Sequence, residues 1–434
     1  MSFNSWGNYP KINSEVISFH QDVTKLQVDI TQKRMIIPYG NGRSYGDSAL
    51  SDYLIHTRPH HFFLGFDKKD GILHVQSGVL LSEILELVVP RGWFLKVTPG
   101  TKRITVGGAI ASDVHGKNHH VDGCFSESVI EFQLMLSHGN IVICSREVNS
   151  ELFHATCGGM GLTGIILDSK IKLTPIKSSN IQQCVIKTRN LEDTFSAFER
   201  YKDRPYSVAW IDCFAKKKKL GRGLVSMGEF SDKGALTYCP QNIITLPKYM
   251  PSAVLLNSIN VKLFNQLYYY KYSRQSSYDN VSLDAFFYPL DRITNWNDIY
   301  GKSGFTQYQF IFPKQISFDG ISEVLTKINY SDYIPFLAVL KLYGKENSNY
   351  LSFPMEGYSL ALDFKIKNGL FDFLDELDEI VVKYNGRIYL SKDVRMSRYV
   401  FEQGYPRVKK FRELRKKYEL NKTFNSLQSQ RLGL

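Results

Sequence analysis

The chain has 434 residues, 43% hydrophobic and 22% charged, with a formal net charge of +12. That length exceeds one ordinary core and predicts two domains with a site where they meet, and the balance excludes a disordered chain. No apolar run approaches the roughly 18 residues that cross a bilayer and no leader-type segment opens the sequence, so a cytoplasmic protein is expected.

The basic excess calls for an anionic partner: nucleic acid, a membrane surface or a phosphorylated substrate. Charge alone does not choose among them. Its densest places, residues 216–219 and 407–417, read as solvated faces. The six cysteines, Cys124, Cys144, Cys157, Cys184, Cys213 and Cys239, lie singly without a CxxC pair and read as reduced.

In chain order, residues 34–38 read as a short apolar strand. The loop after it is Tyr39-Gly-Asn-Gly-Arg-Ser-Tyr-Gly-Asp47, in which glycine lets backbone amides approach an anion such as a pyrophosphate. A nicotinamide-type fingerprint would place a third glycine where Tyr45 stands and would open a helix, and no helical period follows Ser48. Residues 71–78 read as a second strand, and 81–89 as a helix capped by Ser82 and stopped by Pro90. In the second loop, 98–118, Gly107 and Gly108 open a short helix of small residues whose amino terminus can sit tightly against a phosphate or a flavin. His115, His119 and His120 lie there without the cysteines or paired carboxylates of a metal set, so no metal is expected. The third loop, 157–166, carries four glycines before a β-branched strand.

From about residue 180 to 384 the glycine turns thin out and aromatics concentrate, which marks a second domain. Leu370, Phe373, Leu374, Leu377, Ile380, Val381 and Tyr384 recur at helical spacing, with Asn385-Gly386 as a left-handed stop. A strand over 387–390 then delivers Lys392 at its end.

Read together, Gly-Arg-Ser-Tyr-Gly-Asp at 42–47, Thr-Val-Gly-Gly-Ala-Ile-Ala at 105–111, His-Gly-Lys-Asn-His-His at 115–120 and Gly-Gly-Met-Gly-Leu-Thr-Gly-Ile at 158–165 resemble the polyprenylphosphoryl-ribose oxidases. These belong to the vanillyl-alcohol oxidase superfamily, with its PCMH-type FAD-binding domain. The likeness continues through Gln307-Tyr-Gln309, Lys341-Leu-Tyr-Gly344, Leu351-Ser-Phe-Pro354 and Ser391-Lys-Asp393, so it covers nearly the whole chain.

The resemblance implies an α+β fold with an FAD-binding domain over 1–180. A substrate domain over 181–386 would be built on an antiparallel sheet with flanking helices, and segment 387–434 would return to the FAD domain carrying Lys392. It implies FAD held by Gly40, Asn41, Gly42, Arg43, Ser44, Tyr45, Gly100, Thr101, Thr105, Gly107, Gly108, Ala111, Ser112, His115, Gly116, Asn118, Cys157, Gly158, Gly161, Gly164, Ile165 and Tyr389. Arg43 stands where covalent members carry histidine, so the flavin is expected to be non-covalent.

The implied reaction oxidises the 2′-hydroxyl of a polyprenylphosphoryl-β-D-ribose to the 2′-keto sugar, the first half of epimerisation to the arabinose form for cell-envelope glycans. Lys392 is the implied catalytic residue, with His115 and Tyr45 beside it. Lys117, Gln307, Gln309, Lys341, Tyr343, Ser359, Ala361 and Lys392 are the implied substrate pocket. Mycobacterial-type members carry cysteine where Ala361 stands, which predicts resistance to inhibitors that capture that thiol.

Implied partners are a lipid-linked phosphosugar and a nicotinamide-dependent short-chain reductase that completes epimerisation. Peripheral contact at the inner face of the plasma membrane through the aromatic stretch 243–272 is also expected, and no nucleic acid. Two rivals stand beside this reading: an oxidase of a soluble alditol, sugar or sugar lactone on the same fold, and a non-catalytic subunit that retains flavin.

Overall fold

The computed structural model describes residues 3–19, 24, 26–27, 35–238, 240, 243–245, 257–272 and 277–434. The fold is α+β. Its first region holds a parallel sheet in the order Glu15–Ser18, Tyr53–His56, Ile36–Tyr39. Beside it lies an antiparallel sheet in the order Phe63–Asp67, Ile72–Gln76, Ile165–Pro175, Val129–Met135, Ile141–Ser145, with Trp93–Leu95 also paired to Ile165–Pro175. Burial alternates along Ile72–Gln76, so Leu73 and Val75 enter the core while their neighbours stay nearer solvent.

The second region is an eight-stranded antiparallel sheet. Its order is Ser277–Ser282, Asn180–Thr188, Gly223–Phe230, Tyr206–Ile211, Leu337–Tyr343, Gly357–Lys365, Phe305–Pro313 and Arg387–Ile388. One face packs on the helices Leu191–Arg200, Ser317–Asn329 and Leu370–Lys383, each amphipathic at helical period. The other face is turned toward the glycine loops of the first region.

Several local expectations shift. The strand expected at 34–38 is Ile36–Tyr39, and Arg34 lies outside the described residues. The helix expected at 81–89 runs Leu81–Val88 with Leu80, not Ser82, at its cap position: the Glu83 carboxylate accepts the Leu80 N–H at 2.8 Å, which leaves Ser82 inside the first turn. Pro90 falls in the turn Val89–Arg91 that Gly92 closes at φ 80°. The strand expected over 387–390 is only Arg387–Ile388, opposite Ile311 and Phe310; after Tyr389 N–H donates to the Gln309 carbonyl at 2.9 Å the chain turns, with Lys392 N–H donating to the Tyr389 carbonyl at 3.0 Å. Helix Leu370–Lys383 ends as expected, with Asn385 at φ 49°.

After Lys392 the chain returns to the first region. Ile36 N–H donates to the Thr423 carbonyl and Asn425 N–H to the Ile36 carbonyl, both at 2.9 Å. The 407–417 stretch is therefore not simply a solvated face. Arg415 is wholly buried, and its Nε donates to the Leu162 carbonyl at 3.1 Å.

Cys124, Cys144, Cys157, Cys184 and Cys213 are buried and free, and Cys239 lies outside the described residues. Among the described residues no helix is long and apolar enough to cross a membrane. Of the stretch 243–272, residues 246–256 lie outside the description, and helix Ser258–Tyr270 is its main described element.

Candidate active site

A cavity of about 700 Å³ opens between the glycine loops and the free face of the eight-stranded sheet. The first loop forms one wall. Gly42 turns at φ 60°, where an added Cβ would meet the Tyr39 hydroxyl at 2.1 Å, so only glycine fits. The Arg43 guanidinium stacks over Trp6 at 4.0 Å and Trp6 N–H donates to the Ser44 carbonyl at 2.8 Å, so the amino-terminal segment closes over this loop. The amides of Asn41, Gly42, Arg43 and Ser44 find no acceptor among the described residues. Unpaired amides on a turn of this kind, next to a buried guanidinium, form an anion seat.

The second loop has the short small-residue helix expected there, but not the free amides that a phosphate would need. Helix Val106–Ala111 is capped by Thr105, whose hydroxyl accepts the Gly108 N–H at 3.2 Å. The amides of Val106 and Gly107 are spent on the Val79 and Ser77 carbonyls, both at 2.8 Å. This helix start therefore has no free donors for a phosphate. What the segment contributes is close packing and a smooth wall of Gly107, Gly108, Ala111 and Ser112. A Cβ on Gly40 would sit 2.4 Å from the Thr105 hydroxyl, so the glycine lets the two loops meet. The third loop is tied to the second through Met160 N–H to the Ala111 carbonyl at 2.8 Å, and it presents Gly161 and Gly164 to the cavity.

Lys392 arrives from the opposite side. Tyr45 N–H donates to the Ser391 carbonyl at 2.9 Å, and a Cβ on Gly46 would lie 1.8 Å from the Asp393 carbonyl oxygen, so first loop and lysine loop touch backbone to backbone. The Lys392 ammonium then lies 3.5 Å over the Tyr45 ring. Lys117, Lys341 and Lys392 line the cavity, half-buried and open to it but shielded from bulk water. Loss of solvation lowers Lys392 to about 7, with Asp363 pulling upward and Lys341 pushing down. Burial brings Lys341 to about 8, and burial with the charge of Lys341 brings Lys117 to about 7. Lys117 is also held by the Phe286 carbonyl.

His115 is buried and held well below its ordinary value, first by burial and then by the neighbouring lysines, so its ring is neutral. Its Nε2 lies 3.3 Å from the Gln309 amide nitrogen, which donates to it, and its Nδ1 has no partner. The same Gln309 amide lies 3.3 Å from the Tyr343 hydroxyl and from the Ser359 hydroxyl.

Most expected site residues line this cavity: Tyr45, His115 and Lys392; the first-loop set; Gly100, Thr101, Thr105 and the small wall above; Gly161, Gly164 and Tyr389; and Lys117, Gln307, Gln309, Lys341 and Ala361. Seven stand behind the wall instead. Tyr343 and Ser359 back Gln309, Asn118 is spent on the Lys96 carbonyl at 2.8 Å, and Gly116 is pressed against the Thr98 carbonyl. Cys157, Gly158 and Ile165 support the third loop, and Ile166 reaches the cavity in place of Ile165.

Sequence reasoning missed Trp6, Asp291 and Asp363. Asp291 accepts the Thr101 hydroxyl at 2.7 Å and the Lys102 amide at 2.8 Å, which fixes the second loop. Asp363 is buried, paired with the Gln307 amide at 2.5 Å through one oxygen and without a partner on the other. Its only sequence signal is a carboxylate inside the otherwise apolar run Ser359-Leu-Ala-Leu-Asp-Phe364.

Residues 20–145 match the family model for an FAD binding domain. The chain is 34% identical over 417 residues to the decaprenylphosphoryl-β-D-ribose oxidase of Mycolicibacterium smegmatis, covering 92% of this chain and 90% of that protein. It is 28% identical over 373 residues to an uncharacterized protein in the mprA 5′ region of Streptomyces coelicolor, covering 82% of this chain and all of that one. To mouse L-gulonolactone oxidase it is 26% identical over 182 residues, covering 40% of this chain and 41% of the enzyme. The cavity fits a flavin dinucleotide: the first-loop amides and the partnerless Arg43 Nε suit a pyrophosphate, and the small second-loop wall leaves room for a flat ring.

Proposed function

The chain belongs to the family of decaprenylphosphoryl-β-D-ribose oxidases, and from that premise we propose that it oxidises the 2′-hydroxyl of a polyprenylphosphoryl-β-D-ribose to the 2′-keto sugar. The protein is an FAD-dependent oxidoreductase acting on a sugar hydroxyl. When bound, FAD supplies the acceptor for the hydride that leaves the carbinol carbon.

The observation that carries the reading is Lys392, shielded from bulk water beside the meeting point of the first loop and the substrate sheet, with a proton affinity tuned to about 7. Near neutral pH a large share of this amine is unprotonated and can take the hydroxyl proton as hydride departs. Tyr45 steadies the resulting ammonium through its ring, and Asp363 steadies it through charge. His115 is neutral, so it orients by hydrogen bonding and does not compete for the proton. Lys341 and Lys117 supply positive charge for the substrate phosphate. The first-loop amides and Arg43 hold the cofactor pyrophosphate, and with Arg43 in that loop the flavin is bound non-covalently.

The basic excess and the exposed apolar side chains Ile259, Leu263, Leu267 and Tyr270 on helix Ser258–Tyr270 support peripheral binding to the cytoplasmic face of a membrane that holds the lipid substrate. The keto product calls for a separate nicotinamide-dependent reductase to complete epimerisation. A soluble sugar lactone as substrate would leave the lysine group without a phosphate to bind.

Anaerobic mixing of the yellow protein with polyprenylphosphoryl-ribose tests the reading. Bleaching of flavin absorbance in wild type and none in Lys392→Ala is the expected result. Retained colour in wild type would overturn it.

A further inference from the structure

The cavity does not end at the charged groups. Across the sheet, Gln309 stands opposite Ala361, Ala361 opposite Val339, Val339 opposite Trp210 and Trp210 opposite Leu224, and all five line the cavity. Directly opposed residues share a sheet face, and neighbouring strands lie ~4.8 Å apart, so four strand steps carry this row about 19 Å from Gln309. Helix Ser258–Tyr270 roofs its far part, with Tyr268 meeting Trp210 edge-on at 5.0 Å and Phe264 lining beside it.

The row from Ala361 to Leu224 itself carries no charged side chain; the nearest lysines on the cavity wall are Lys341, two residues along the strand from Val339, and Lys117 against Phe286. Of the arm's polar groups, the Gln183 amide donates to the Ser226 hydroxyl at 2.7 Å, and Tyr268 and Tyr272 add only one hydroxyl each. A wall of this kind rejects sugars, phosphates and nucleotides, whose polar atoms would lose water without gaining partners. It fits a hydrocarbon chain.

We propose that this arm binds the isoprenoid chain of the substrate, seating the units next to the phosphate against Val339, Trp210 and Leu224. The proposal rests on the lipid-phosphate reading of the charged end. Two observations commit it to that occupant. The arm is continuous with the wall that carries Lys341 and Lys392, so a head group held there has its chain directed along the row. The roofing helix is also apolar on its outer side, with Ile259 76% and Leu267 65% exposed, so the far end of the arm adjoins a surface suited to lipid.

The test compares anaerobic flavin bleaching by methyl, geranyl and farnesyl esters of ribosyl phosphate, in wild type and in Trp210→Ala and Tyr268→Ala. For wild type KM should fall tenfold or more from methyl to farnesyl, and in both variants that ratio should collapse toward one. An independent readout is quenching of tryptophan fluorescence by spin-labelled farnesyl phosphate, expected in wild type and largely lost in Trp210→Phe, which keeps the apolar wall. Equal KM for methyl and farnesyl esters in wild type overturns the arm while leaving the oxidase reading intact. If no ester bleaches the flavin, the oxidase reading fails, and quenching then decides the arm alone: loss in Trp210→Phe supports it, and absence in wild type overturns it.

Discussion

At one end of the cavity Tyr45, His115, Lys341, Lys392 and Asp363 come from separate loops and strands and sit away from bulk water with polar atoms only partly satisfied. At the other end Val339, Trp210 and Leu224 stand in register on neighbouring strands, and the nearby polar pair closes on itself. Both ends adjoin one face of one sheet. The apolar end adds to stability by burial, whereas the charged end subtracts from it, since burial disfavours the charged amine of Lys392 and lowers it to about 7. A fold keeps such a cost where chemistry requires it, and the contrast locates that place.

The largest expected effect breaks the charged end. Lys392→Ala should lower the rate of flavin reduction by about 10²–10⁴-fold while the purified protein stays yellow. A variant that reduces flavin at the wild-type rate would remove the distinction between the two ends. Next, Lys341→Ala should raise KM for a polyprenylphosphoryl-ribose by roughly 10–100-fold with kcat much less changed, since one charge-assisted contact to phosphate is lost.

The pH profile sharpens the comparison further. Proton transfer to Lys392 needs the neutral amine, so flavin reduction should rise as pH passes about 7. Phosphate binding needs the Lys341 cation, so kcat/KM should fall as pH passes about 8. Because Asp363 pulls the Lys392 value upward, Asp363→Asn should move the acid limb to lower pH, a shift that a purely structural role would not give. The smallest effect lies at the border of the two ends. A361C should change turnover less than about threefold, since the position donates and accepts nothing, yet it should make the protein sensitive to thiol-capturing inhibitors, read as a stoichiometric mass increase.

The parts legible in the sequence were those written locally. Three glycine loops carry their own turn chemistry, and helix Leu370–Lys383 carries its period and its stop at Asn385. What was not legible depends on partners far along the chain. The start of helix Val106–Ala111 reads as suiting a phosphate or a flavin, and the phosphate half of that reading falls only once the acceptors of its amides, Ser77 and Val79, are known. Trp6 covers the first loop from outside any motif, and Arg415 reads as one more surface cation although its partners, Leu162 and Phe424, bury it. Asp363 carried a signal, but a carboxylate in an apolar strand does not name the lysine it faces.

Arg431 closes a circuit between two loops. Its guanidinium donates to Asp47 at 2.8 Å, 384 residues away, and to Asp393 at 2.9 Å, so one side chain clamps the end of the first cofactor loop to the loop that carries Lys392. Asp47 and Asp393 are both buried, and Arg431 lies between them as their shared counter-charge. The reactive lysine thus takes its address partly from a side chain that does not line the cavity, and the spacing between cofactor loop and lysine loop is set by a tether outside it.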